Sequence, residues 1–151
     1  MKTEFLYNFI SKYKYAVLST VSAKGNPEAA LVGFAVAPDL RLIFDTVSTS
    51  RKYKNLVQNG AIALVIGWED ERTVQYEGRV KILEGHEFDN MLELYFKVFP
   101  DGKERKETWK DITYFVVVPE WIRYSEFKIP PIVEETDFSD INFKQDVTWN
   151  I

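Results

Sequence analysis

The chain has no cysteine. Disulfides, thiolate nucleophiles and cysteine-based zinc sites are therefore excluded. It has one histidine, His86, so a Ser-His-Asp triad would have to use that residue. His86 lies in Glu84-Gly85-His86-Glu87, beside a turn, where an ordinary surface histidine opening a helix is expected. One imidazole and scattered carboxylates make a poor transition-metal site, and no metal is expected. No stretch approaches the roughly 20 apolar residues that span a bilayer. Met1-Lys2-Thr3-Glu4 lacks the apolar core of a signal peptide, so a cytoplasmic protein without a membrane partner is expected. An excess of positive charge is also missing. The net value of −4 disfavours nucleic acid as a partner. With so few side chains suited to hard chemistry, a bound organic cofactor is the natural source of any reactivity.

Apolar and aromatic residues are plentiful. They make up 46% and 15% of 151 residues, enough for one domain with a full core. Phe5, Leu6, Phe9 and Ile10 recur at helical spacing and predict a helix over 3–12. Residues 15–21 predict a strand, followed by a turn at 22–27. Residues 29–36 predict a second strand, nearly all apolar and expected to be buried on both faces. Leu40, Leu42 and Phe44 alternate with Arg41 and Asp45, predicting a third strand that ends near Thr46. Thr49 or Ser50 can cap a short helix with Tyr53, Leu56 and Val57 inward, stopped at Asn59-Gly60. Strands follow over 61–67 and 72–83, the latter with a bend or bulge expected at Gly78. Phe88, Met91, Leu92, Tyr95 and Phe99 predict a helix ended by Pro100. Strands over 112–118 and 121–127 are separated by Pro119.

This order predicts a mainly β protein, an antiparallel β-barrel with flanking helices. Strand-helix alternation, GxGxxG and a P-loop are all missing, which excludes a Rossmann reading. Residues 1–127 form the expected domain. Residues 128–151, opened by Pro130-Pro131 and mixing acidic with apolar side chains, form a tail expected to lie against the barrel or a partner subunit.

The segment most suggestive of chemistry joins the third strand to the helix after it. The start of a helix carries partial positive charge and unpaired N–H groups, yet this one opens with Arg51, Lys52 and Lys54. Each such cation costs about 0.3–1 kcal/mol there. A bound dianion would reverse that sign, accepting from backbone N–H groups, the hydroxyls of Thr46, Ser48 and Ser50, and the Arg51 guanidinium. A solvated basic turn is the other meaning of the same residues. Thr46 ends an apolar strand, so a phosphate here would lie beside a hydrophobic wall.

Residues 15–83, about half of the chain, resemble the pyridoxamine 5′-phosphate oxidase-like FMN-binding split barrels. The resemblance rests on Ala16-Val17-Leu18-Ser19-Thr20, Gly25-Asn26-Pro27, Phe44-Asp45-Thr46 and Ser50-Arg51-Lys52. It continues through Asn55-Leu56, Asn59-Gly60-Ala61-Ile62-Ala63-Leu64 and Tyr76-Glu77-Gly78-Arg79-Val80. It implies a Greek-key-type split barrel and a homodimer with FMN at the subunit interface. Arg51 and Lys52 match the phosphate-binding pair. Ser50 and Thr46, the latter preceded by Asp45, match positions near the phosphate and ribityl chain. The backbone around Leu31, Val32 and Gly33 matches the strand along the isoalloxazine ring. Thr73 falls near a flavin-contacting glutamine of the oxidases, and Gln75, two residues on, could substitute for it. Ala29-Ala30 occupies the region where the family's enzymes often carry a further arginine, which implies a weaker grip on phosphate. Trp68 and Trp109 could stack on a flavin or serve the core or an interface.

The family's oxidases read their vitamin substrate partly with a basic C-terminal segment. The last 25 residues here, from Phe127, contain neither arginine nor histidine. The chain therefore looks more like the short, general-stress-protein-type members than like a genuine pyridoxamine phosphate oxidase. The resemblance implies an FMN-dependent oxidoreductase of unknown substrate, with no catalytic side chain assigned. A flavin-sequestering module without turnover is the alternative, as is the same barrel holding haem or a deazaflavin. Haem would need an axial ligand, for which His86 is the sole imidazole.

Overall fold

A two-residue alternation of buried and exposed side chains builds the sheet. In β1 (Tyr15–Val21), Ala16, Leu18 and Thr20 point inward. In β4 (Ala61–Ile66), Ile62, Leu64 and Ile66 do so. The computed structural model describes residues 3–143 and 149. Its remaining strands are β2 (Pro27–Val36), β3 (Leu42–Val47), β5 (Arg72–Ile82), β6 (Ile112–Glu126) and β7 (Ile132–Asp137). All pairings are antiparallel, in the order β3-β2-β1-β4-β5-β6-β7. A further β3–β6 pairing closes the first six strands into a barrel. The fold is thus mainly β, as the strand pattern implied.

Leu18, Phe34, Phe44, Leu64, Tyr76 and Phe115 fill the interior. Leu6, Phe9 and Ile10 of α1 (Thr3–Ile10) join them. Each fully buried large apolar side chain contributes roughly 1.5–3 kcal/mol. A second core lies outside the barrel, where Met91 and Tyr95 of α3 (Asp89–Val98) meet Ala35, Ile43, Tyr114 and Val116.

Several elements differ from the sequence expectation. The second strand is buried on both faces only from Phe34 to Val36, where α3 covers its outer side. Leu31 is 63% exposed. Leu40 does not lie in a strand. It sits in a tight turn at φ 72°, its N–H donating to the Ala37 carbonyl at 2.8 Å. On α2 (Arg51–Gln58), Asn55 rather than Val57 is buried beside Leu56. A helix, α4 (Gly102–Thr108), follows Pro100; its sequence, Gly102-Lys103-Glu104-Arg105-Lys106-Glu107-Thr108, has no apolar period to announce it.

Pro119 does not end its strand. Gly78 pairs with Pro119 and Glu77 with Trp121, so Glu120 is the extra residue of a bulge that absorbs the proline. The freed Glu120 carbonyl accepts from the Phe138 N–H at 2.8 Å, just past β7. Within the tail, β7 pairs with β6 from Trp121↔Asp137 to Glu126↔Ile132. Residues 144–148, 150 and 151 of that tail lie outside the described residues. His86 is an exposed turn residue bonded to Asp89 at 2.8 Å, as its position suggested.

Gly78 is required by close approach, because a Cβ there would collide with the Val118 carbonyl oxygen and press on Val117 and Tyr76. Gly78→Ala is therefore expected to destabilise the fold by roughly 1–3 kcal/mol, read as a lower urea midpoint. An unchanged midpoint would show that the bulge can yield.

Candidate functional site

The join between β3 and α2 is built from hydroxyls. Ser50 is extended (φ −73°, ψ 156°), and its Oγ accepts from the Tyr53 N–H at 3.1 Å, forming the helix N-cap. The same Oγ shares a 2.8 Å hydrogen bond with Thr46 Oγ1, which ends the inward row of β3. Lys52 Nζ lies 3.5 Å from Thr46 Oγ1. Thr46, Ser50 and Lys52 therefore form one connected group around the first turn of α2. The Ser48 N–H is already committed to the Asp111 carbonyl at 2.8 Å.

Arg51 leaves the same turn toward β2. Its side chain is 81% exposed and donates from Nη2 to Glu28 Oε2 at 2.5 Å. Glu28 Oε1 accepts from Asn55 Nδ2 at 2.9 Å, and Asn55 Nδ2 also donates to Thr20 Oγ1 at 2.9 Å. The Asn55 hydrogen bond is the largest influence on the Glu28 carboxyl and, together with the Arg51 guanidinium, holds it below its ordinary range against the opposing effect of burial. A cavity of about 250 Å³ lies here. Leu18, Ala29 and Ala30 form its apolar part, and Thr20, Glu28, Arg51 and Lys52 its polar part.

The other candidates fall elsewhere. Leu31 faces outward in a cross-strand row with Val17, Val65 and Gln75. Val32 is buried in the barrel core. The Phe99 ring covers the Gly33 face, with its Cζ 2.8 Å from where a Cβ would stand. Thr73, paired with Ser125, has a buried hydroxyl that finds no hydrogen-bond partner among the described residues. Asp45 points at the outer helices. It accepts from the Tyr95 hydroxyl at 2.8 Å and lies 3.6 Å from Arg105 Nη2. Trp68 and Trp109 are both exposed.

Glu28, Asn55 and Thr20 were missed. The signal for Glu28 was its phase, since it shares the inward set of β2 with Ala30 and Val32. Asn55 stands one helical turn after Arg51, which places both on one side of α2.

Residues 3–126 match the pyridoxamine 5′-phosphate oxidase family. The chain belongs to that family. A pyridoxine/pyridoxamine 5′-phosphate oxidase of Ehrlichia chaffeensis is 33% identical over 89 residues, which are 58% of this chain and 43% of that protein. The match thus spans less than half of that relative. A haem-binding protein from Mycobacterium smegmatis has the same fold, with a TM-score of 0.77 at 15% identity over 89% of this chain and 57% of that one. A pyridoxamine 5′-phosphate oxidase-related FMN-binding protein from Nostoc punctiforme aligns with a TM-score of 0.63 at 12% identity, over 89% and 92%. No helix among the described residues is long and apolar enough to cross a membrane.

The carboxylate of Asp45 also marks two tyrosines. Burial first, then the Asp45 charge, pushes Tyr95 well up and Tyr114 to about 12. The folded chain then keeps protons that the unfolded chain releases near pH 10, so stability falls as pH rises through 10–12. Absorbance titration of the folded protein at 295 nm is expected to leave both tyrosines mostly protonated at pH 11. Titration of all eight tyrosines near pH 10 while the protein stays folded would contradict this burial.

Proposed function

We propose that this protein binds FMN, with the phosphate against the start of α2 and the ring along the outward face of β2. The observation that carries this is the convergence of Thr46, Ser50, Lys52 and Arg51 on one helical turn beside a cavity of about 250 Å³. Hydroxyl donors, two cations and a helix start suit a phosphate monoester. Arg51 and Lys52 supply charge, while Ser50 and Thr46 hold the turn in shape and offer hydroxyls. Leu31 supports the proposal for the ring end, since it lies exposed beside Val65 and Gln75 in one row. Val32 and Gly33 would contribute backbone there, while Asp45 and Thr73 would shape the surroundings from behind.

A homodimer completes this picture. Tyr15, Leu31, Val65 and Trp68 leave large apolar side chains exposed around that outward row. A second copy would bury them and shield the ring from water. Bound flavin would supply hydride or electron transfer, and the chain would supply orientation and enclosure. Flavin binding without turnover is favoured as a second reading by one observation. The ionisable groups lining the cavity are Glu28, Arg51 and Lys52, and each has a holding partner. Rapid-mixing reduction by NADH or NADPH separates the two, because bound flavin that neither donor reduces is a cargo.

Replacing both Arg51 and Lys52 by Ala is expected to weaken FMN binding at least tenfold, since hydrogen bonds to charged groups contribute about 1.5–3 kcal/mol each. Unchanged affinity in a fluorescence titration would overturn the phosphate assignment. Light scattering is expected to give twice the 17.6 kDa chain mass. A strictly monomeric protein would overturn the interface site. A Soret shift on adding haem, with no uptake of FMN, would transfer the site to haem.

A further inference from the structure

We propose that Glu28 is a resident anion that competes with the ligand's phosphate for Arg51, so that ligand entry is an exchange of one anion for another. This rests on the phosphate assignment above and adds a residue that sets the charge preference of the site.

Three observations carry it. Glu28 lines the same cavity as Arg51 and Lys52, so a phosphate held by those cations would meet its carboxylate. Its position is imposed by the fold. Thr20 faces Glu28 across the β1–β2 ladder, and Asn55, only 6% exposed, ties Glu28 Oε1 to Thr20. The Glu28 carboxylate is therefore anchored from behind. Arg51 is anchored less, because 81% of its side chain is exposed and Glu28 is its one ion-pair partner among the described residues. When an anion enters, Arg51 is the partner free to turn.

Charge decides the sign. Two cations and one carboxylate leave the cavity with a single net positive charge. A phosphate dianion must break the Arg51–Glu28 pair and then sit near a like charge in a partly enclosed space, which disfavours binding. The site is thereby set to hold a phosphate monoester loosely and to release it, unlike a site presenting only cations. The competing role for Glu28 is that of a direct acceptor for a ligand hydroxyl, which would make it a positive contributor instead.

Titrations of FMN and of riboflavin, which lacks the phosphate, into the full chain distinguish these roles. Glu28→Gln keeps an oxygen for Asn55 and removes the charge. It is expected to tighten FMN binding about tenfold while leaving riboflavin within about twofold. Glu28→Ala is expected to act in the same direction, which guards against a defect specific to Gln. Arg51→Ala is expected to cost more FMN affinity in the Glu28→Gln background than in wild type, by about threefold or more, because Arg51 no longer divides its charge between two anions. Equal or weaker FMN binding by both Glu28 variants, with wild type binding FMN normally, overturns the competition and leaves the phosphate site standing. A parallel loss of FMN and riboflavin makes Glu28 a ligand contact and also overturns it. If the wild-type chain and both variants bind FMN no better than riboflavin, the phosphate assignment falls and this proposal with it.

Discussion

Closing the barrel requires β3, one end of the strand order, to find a second partner. It does so along six consecutive pairs with β6, from Leu42↔Val117 to Val47↔Ile112. Without that ladder the core residues Phe44 and Phe115, which stack at 5.5 Å, would have no shared interior. The ladder also fixes where β3 stops. Thr46 pairs with Thr113, and the Ser48 N–H reaches the Asp111 carbonyl, so the chain leaves the sheet in one direction only. The first turn of α2 is placed by these bonds, and the candidate site is placed by that turn. Pre-organisation here comes from backbone pairing and a serine cap, not from the charged side chains themselves.

Those charged side chains are arranged on a gradient of freedom. Asn55 is buried and double-bonded in the hydrogen-bonding sense, to Thr20 and Glu28. Glu28 is held at one oxygen from inside and at the other from outside. Lys52 leans on Thr46, and Arg51 extends into solvent. A ligand arriving from solvent therefore meets the least constrained group first. Reorganising one exposed arginine costs little conformational free energy compared with repacking a buried polar group.

Part of this arrangement could be read from the chain. The strand alternation of β1, the Ser50 cap and the irregularity at Gly78 all follow from local rules about period, capping and glycine. β3 instead buries Leu42, Ile43 and Phe44 in succession, and Arg41 before them, because α3 covers its outer side. The cluster Thr46, Ser50, Arg51 and Lys52 was visible because four residues of one loop carry it. Glu28 and Asn55 were not, because their meaning depends on the Thr20↔Glu28 register, a pairing of distant residues. Val57 looked like a core residue, and Asn55 was not among the expected inward positions, until α2 had a side to face. Pro119 looked like a strand end because the bulge that tolerates it needs its partner strand in place. α4 and β7 escaped because polar, charged sequences carry no apolar period, and each owes its structure to what it abuts.

That same bulge has a consequence for how the molecule protects itself. β3 and β7 occupy the same flank of β6 in succession, the first over 112–117 and the second over 121–126, with Glu120 between them. The Phe138 N–H fastens the end of β7 at that gap. β7 is thus a cover strip over a ladder that β3 is too short to reach. Peeling it away would bare the β7-facing N–H and C=O groups of Trp121–Glu126 beside an apolar core, an invitation to edge-to-edge self-association. β7 is the last strand of the sheet among the described residues, and the carboxylates of Glu134 and Asp137, beside a Glu135 paired with Arg123, are charges of the kind that discourage a further strand at such an edge.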